Sequence, residues 1–260
     1  MRHAARRALG ASLPTSARRG RGMSRLTLEK MLQSQGFGTR RQCRQLVLGG
    51  HVRVAGAPAD DPELRVDTEG LSFSVLDQDW NYREHVYLAL NKPANYECSR
   101  RPSHHPGILS LLPEPLRARD VQPVGRLDHD TTGLLLLSDD GAFIHAQSSP
   151  RRKVPKLYVA TTQEPVTPAL IAALLAGVRL HDEPEPLAAL RCEQQGAHEI
   201  AIVLEQGKYH QVKRMLAAAG NHCAALRRVA IGGLRLEALK LPEGAWCHLG
   251  EAELALLRPD

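Results

Sequence analysis

The residues best placed to do chemistry lie in VGRLDHDTTGLLLLSDDG, positions 124 to 141. Two acids, Asp128 and Asp130, stand between Arg126 and four consecutive leucines at 134 to 137. A carboxylate at the mouth of a buried strand can serve as a nucleophile or base only while ionised, and once partly desolvated it needs a cationic partner to remain so. Asp128, beside Arg126 and Leu127, fits that description. Asp130, Thr131 and Thr132 read instead as turn chemistry, because Asp and Thr side chains commonly satisfy turn backbone groups. The candidate cation is Lys213, in EQGKYHQVKRML, on a helix expected over 209 to 219 that also carries Arg214, with Lys208 just ahead. Read alone, that helix is a charged face turned to RNA or solvent, and sequence does not bring Lys213 to Asp128. Between the two segments, KLYVATT places Lys156 and Tyr158 on a strand, where the default is a half-buried core tyrosine with its hydroxyl satisfied.

These segments need rigid elements behind them. VYLALNKP, the leucine run, KLYVATT and HEIAIVLEQG read as strands, whereas TPALIAALLAG and YHQVKRMLAAAG read as helices closed by glycine. Strands and helices mixed at these lengths indicate an α+β or α/β sheet domain. No run approaches the length of a membrane helix. Five cysteines, widely spaced and without a CxxC pair, argue against a disulfide framework or a zinc site and suit a reducing cytosol. Adjacent His104 and His105 seldom share one ion, so no metal is expected.

Ahead of this lies a smaller, basic segment. LTLEKMLQSQGFG sets Leu28, Met31 and Leu32 at helical spacing and stops at Gly36; Thr39 and Gln42 then make a capping box for a second helix lined by Cys43, Leu46 and Val47. HVRVAG follows as a strand with Val52 and Val54 on one side and Arg53 on the other. From 24 to 58 six basic residues, Arg25, Lys30, Arg40, Arg41, Arg44 and Arg53, face the single acid Glu29. Arg40 and Arg44 at i,i+4 repel one another, a cost that a phosphate backbone would offset. With a net charge of +6 and pI near 9.2, the distribution favours a polyanionic partner. Asp60, Asp61 and Pro62 mark a turn, Leu71, Phe73 and Val75 alternate as a strand, and the acidic 77 to 84 stretch marks a linker. The boundary is placed near residue 80, with 71–82 as linker. Residues 1–23 hold six arginines and no acid; they read as a disordered basic extension, a targeting segment, or sequence removed by a start at Met23.

The helix-turn-helix-strand pattern over 24–70 resembles the S4 RNA-binding domain. GRLDHDTTGLLLLSDDG, KLYV, GKYHQVKRMLAAAGNH and LRRVAIGGL, in this order, resemble the RsuA family of pseudouridine synthases, nearest to the branch that modifies small-subunit rRNA. That resemblance covers nearly all of 24 to 257. It implies an α+β chain in which an S4-like domain precedes a synthase domain over 83–260, with a mixed, largely antiparallel sheet flanked by helices. It implies an isomerase that converts one uridine of 16S RNA, in a decoding-side hairpin, to pseudouridine without a cofactor. Asp128 would be the catalytic carboxylate, acting covalently or by assisting glycal formation, and Lys213 its cationic partner. Tyr158 would stack on the uracil, Arg126 would fill the space left by the flipped nucleotide, and Leu226 would wall the base pocket. Arg25, Lys30, Arg40, Arg41, Arg44, Arg53, Arg151, Arg152, Lys156, Lys208 and Arg214 would contact RNA, free or in a partly assembled small subunit, with the protein a monomer in the cytoplasm. Sister branches make a 23S hairpin the competing target, and a non-catalytic RNA-binding assembly factor the competing class. Two stretches depart from the family: Gly107 replaces a usual threonine, and HDEPEPLAAL is unusually acidic.

Overall fold

Helix Leu28–Ser34 turns Leu28, Met31 and Leu32 inward because their spacing puts them on one stripe, and all three are fully buried. They are taken from a computed structural model that describes residues 25–99, 101–149 and 152–257. The expected extension over 1–23 and the expected RNA contact Arg151 lie outside the described residues. Helix Arg40–Leu48 starts at the anticipated capping box, with Thr39 N–H donating to Gln42 Oε1 at 2.8 Å and Gln42 N–H donating to Thr39 Oγ1 at 3.3 Å. Cys43 and Val47 close the core between the helices and strand Val52–Val54.

The stretch 71–82 is not a linker. Strand Ser72–Val75 pairs with Val52–Val54 on one side and with Gln78–Asn81 on the other, completing a four-stranded sheet with Ala57–Pro58. Phe73 and Val75 are buried in the same core as the helices, and Phe37 meets Phe73 and Trp80 edge-on. Of the polar stretch that resembled a linker, Gln78–Asn81 form the return strand and Asp77 shares the tight turn with Leu76, both at positive φ.

The second sheet has nine strands. Its main path runs Arg191–Gly196, Glu199–Leu204, Lys156–Thr162, Cys223–Ile231, Thr132–Ser138, Tyr87–Lys92 and Trp246–His248, with Leu234–Arg235 and Gln122–Val124 paired at the side. Every pairing is antiparallel except that of Cys223–Ile231 with Thr132–Ser138. The leucine run is continuous, not alternating, because both faces of its strand are covered: Leu135 and Leu137 join one core, Leu134 and Leu136 another.

Arg119 ties the two parts together. Its guanidinium, nearly buried, donates to Asp139 at 2.7 and 2.8 Å, to Gln35 Oε1 and the Arg83 carbonyl at 2.9 Å, and to the Glu84 carbonyl at 2.8 Å. Gly36 is required at the same junction, since it has φ +86° and any Cβ there would clash with the Pro115 carbonyl. Among the described residues, no helix is long and apolar enough to cross a membrane.

Candidate active site

The loop between strands Gln122–Val124 and Thr132–Ser138 carries both acids. Gly133, at its exit, has φ +100° and lies so close to the Arg228 carbonyl that a Cβ would overlap it; a glycine here lets the two parallel strands approach. From beneath, Lys92 pins the loop. Its ammonium is fully buried and donates to the carbonyls of Pro93 at 2.9 Å, His129 at 3.0 Å and Thr131 at 2.9 Å. Burial pushes this lysine below its ordinary range, and the nearby Cys98, Asp130 and Asp128 only partly restore it.

Helix Gln211–Ala218 meets the loop from the other side. Lys213 Nζ lies 3.2 Å from Asp128 Oδ2, and His210 Nε2 lies 3.2 Å from Asp128 Oδ1. The expected Asp128–Lys213 pair is therefore formed, between residues 85 positions apart in sequence. Asp130, expected to serve only the turn, departs from that expectation: its two oxygens accept from Lys213 at 2.6 and 2.8 Å. Burial works against the Asp130 carboxylate, but the Lys213 hydrogen bond and charge outweigh it and hold the group below its ordinary value. Burial likewise opposes the Lys213 ammonium, and the two aspartates outweigh that to raise it.

Asp128 opens onto a cleft walled by Tyr158, Leu226, Leu204 and Val212, with Arg126 at its rim. Tyr158 and Leu226 sit on neighbouring strands, Lys156–Thr162 and Cys223–Ile231, and each is under a tenth exposed. The Tyr158 hydroxyl has no hydrogen-bond partner among the described residues, unlike the satisfied core tyrosine of the default reading. Arg126 is exposed and pairs with no acid among the described residues. Thus Asp128, Tyr158, Arg126 and Leu226 share one cleft, with Lys213 behind the carboxylate. The cleft joins apolar walls, Tyr158, Leu204, Val212 and Leu226, to polar lining from Arg126, Gln206, Lys208 and Gln211, and with the Asp128 carboxylate opening onto it the arrangement suits a planar base whose sugar meets Asp128.

Sequence reasoning missed His210 and Lys92. His210 and Lys213 are spaced i,i+3, which puts both at the start of one helix face, so the spacing held the signal. Lys92 ends the largely apolar, buried strand Tyr87–Lys92, and a lysine there must find buried acceptors.

The expected RNA cations divide into two groups. Arg40 and Arg44 both bond the buried Glu29, with Arg44 at 3.2 Å, and Arg44 also reaches Glu63 at 3.2 Å. Their mutual repulsion is thus offset within the fold, without a phosphate. Burial acts to raise the Glu29 carboxyl, but the two guanidiniums hold it below the usual range. Lys208 pairs with Glu183 at 2.9 Å and Arg214 with Asp182, which gives the unusually acidic stretch a role inside the molecule. Arg25, Lys30, Arg41, Arg53 and Arg152 are exposed and form no ion pair among the described residues. Lys156 is half-buried and pushed down to about 8 by burial and by the charge of Arg228.

The model of the RNA pseudouridylate synthase family matches residues 86–218, and that of the S4 domain matches residues 26–71. The uncharacterised RNA pseudouridine synthase YtzG of Bacillus subtilis is 34% identical over 236 residues, spanning 89% of this chain and 98% of that one. The ribosomal small subunit pseudouridine synthase A of Escherichia coli K12 is 41% identical over 169 residues, 65% of this chain and 72% of that one. A crystal structure of a pseudouridylate synthase superposes with a TM-score of 0.63 at 33% identity, covering 90% of this chain and 99% of the other. An S4 domain followed by a synthase fold thus matches named synthases along almost the whole chain, and the protein belongs to the RNA pseudouridylate synthase family as an RsuA-type enzyme, a pseudouridine synthase.

Proposed function

We propose that this synthase isomerises one uridine of the small-subunit 16S RNA, with Asp128 as the catalytic carboxylate. The observation that carries the reading is the placement of Asp128: its oxygens are held by Lys213 and His210 at the lip of a cleft walled by Tyr158 and Leu226. The reaction breaks the N1–C1′ bond, turns the base and joins C5 to C1′; the C5 proton leaves and N1 gains one. Both routes to the loose base, attack of Asp128 on C1′ or its removal of a sugar proton to give a glycal, require an ionised carboxylate beside the sugar. Lys213 supplies the positive charge that favours that state. The Tyr158 ring holds the detached uracil by stacking, Leu226 supplies the apolar wall, and Arg126 fills the gap left in the RNA. No external cofactor enters, since every atom of the product is already in the nucleotide.

Small-subunit RNA is favoured over a 23S hairpin because several similar proteins are named for the small ribosomal subunit. Arg25, Lys30, Arg41, Arg53 and Arg152 would contact phosphates, and a partly assembled subunit would present the hairpin to a single protein molecule. The test is a carbodiimide map of pseudouridine in 16S RNA, 23S RNA and partly assembled small subunits, with and without the protein. A new stop at one 16S uridine, lost with Asp128→Asn, is expected. A stop only in 23S RNA would overturn the target, and turnover by Asp128→Asn at an ordinary rate would overturn the role of Asp128.

A further inference from the structure

Beside the reaction cleft, and sharing Arg126, Tyr158 and Gly207 with it, lies a second cavity of about 160 Å³. Two cations line it from neighbouring strands: Lys156 and Arg228. Arg228 is 3% exposed; its Nε donates to the Leu134 carbonyl at 2.7 Å, yet its Nη2 is buried with no partner among the described residues. Lys156 donates to the Val154 carbonyl at 2.9 Å and makes no ion pair among the described residues. Glu205 also lines the cavity, but it is not within ion-pair distance of either cation. A buried guanidinium with an idle donor is costly, and folded proteins seldom leave one without a purpose. With Arg126 at the shared rim, three cations and one carboxylate line a cavity that adjoins the cleft of Asp128.

We propose that Lys156 and Arg228 form a seat for a single phosphodiester of the substrate RNA, at a linkage adjoining the target nucleotide, and that this contact fixes the flipped sugar against Asp128. The inference rests on the reading of the cleft as the uridine site. A phosphate matches the chemistry, because its oxygens accept from a guanidinium fork and an ammonium together. The half-buried lysine, lowered to about 8, would regain its ordinary proton affinity when the anion arrives.

The full-length chain would be tested on the RNA hairpin that carries the mapped stop. Each phosphodiester within two linkages of the target uridine is replaced in turn by a neutral methylphosphonate, and binding and turnover are read separately. One linkage is expected to weaken wild-type binding about tenfold, the scale of one charged hydrogen bond, whereas the same replacement should cost Lys156→Met less than twofold. Arg228→Lys, which keeps the charge and loses the fork, should fall between. Melting curves establish that each variant folds. Equal losses in wild type and Lys156→Met, or no position-dependent loss, would overturn the site. Inorganic phosphate that stabilises wild type but not Lys156→Met, with no sensitive linkage, would make it a free-anion site and overturn the RNA assignment. Position-dependent binding without turnover would sink the functional reading and leave the phosphate seat standing.

Discussion

Lys92→Met is the sharpest probe of how the loop that carries Asp128 is held. The side chain is fully buried and its ammonium supplies three hydrogen bonds to backbone carbonyls, two of them, His129 and Thr131, within the loop that carries Asp128. Methionine fills a similar volume but donates nothing. Stranding a buried acceptor costs about 1–3 kcal/mol, so three would cost about 3–9. Two terms reduce that figure: the buried ammonium no longer pays for desolvation, and the carbonyls can shift toward water or Thr131 Oγ1, itself buried without a partner. A net loss of about 2–4 kcal/mol remains. At a urea slope of about 2–3 kcal/mol per molar for a chain of this size, the midpoint should fall by about 1 M. The shift that relieves the carbonyls also moves Asp128, and misplacement of a reacting group by about 1 Å can cost about a hundredfold in rate. The assay pairs urea unfolding with single-turnover pseudouridine formation, using Arg65→Met, at an exposed cation outside the proposed RNA contacts, as control. A Lys92→Met protein with the wild-type midpoint and rate would refute the reasoning, because it would mean the loop is held by its own turn.

Two acids share Lys213, and substitution separates them: Asp128→Asn should abolish turnover while RNA binding persists, whereas Asp130→Asn should keep activity within about tenfold, the scale of one lost charged contact. Greater loss from Asp130→Asn in single-turnover assays would reassign the carboxylate. Lys156, faced by Arg228, Glu205 and Tyr158, titrates at about 8 in the folded chain against an ordinary 10.5. The unfolded chain therefore holds more protons between those values, and stability should rise with pH across that window. RNA affinity should fall over the same window, since the free protein loses the cation; an equal fall in Lys156→Met, measured by filter binding, would dismiss that lysine as the cause. Arg44→Ala should lower the urea midpoint, because it strips one partner from the buried Glu29. Arg41→Ala should leave the midpoint unchanged and reduce the slope of log affinity against log salt, by about 0.7–0.9 if one phosphate contact is lost. Opposite behaviour of the two variants would exchange their roles.

Local pattern carried most of the fold. The capping box at Thr39, the stripe of Leu28, Met31 and Leu32, and the apolar runs at 87–92, 132–138 and 156–162 all set their elements through neighbours a few positions away. The hairpin at 72–81 was only half legible: Phe73 and Val75 showed a strand, but Gln78–Asn81 is mostly polar and exposed, with Trp80 its sole inward anchor. The same limit governs the site. Asp128 stood out by its neighbours, and Lys213 as its partner came only from the family resemblance. The grip of Lys213 on Asp130, the clamp of Lys92 on the loop and the pairing of Arg214 with Asp182 depend on side chains far apart in sequence, 83 positions in the first case. No periodicity encodes such partners, and a cation list read from sequence counts charges without seeing which ones the fold has already matched.

That matching bears on the chemistry. A carboxylate that acts at a sugar needs enough positive charge nearby to stay ionised, but a tight bidentate cation would occupy the lone pairs it must use. Glu183 and Asp182 pair with Lys208 and Arg214, and among the described residues Lys213 and His210 are the basic groups within ion-pair reach of Asp128. Asp130 then takes the shorter bonds of Lys213, at 2.6 and 2.8 Å, so that Asp128 is held at 3.2 Å on each oxygen. The second acid thus moderates the grip of the lysine on the first. If Asp130 has this function, Asp130→Asn should tighten the Lys213–Asp128 pair, slow the chemical step without weakening RNA binding, and leave the loss in kcat rather than KM. A loss confined to KM would show instead that Asp130 acts on RNA and not on the lysine.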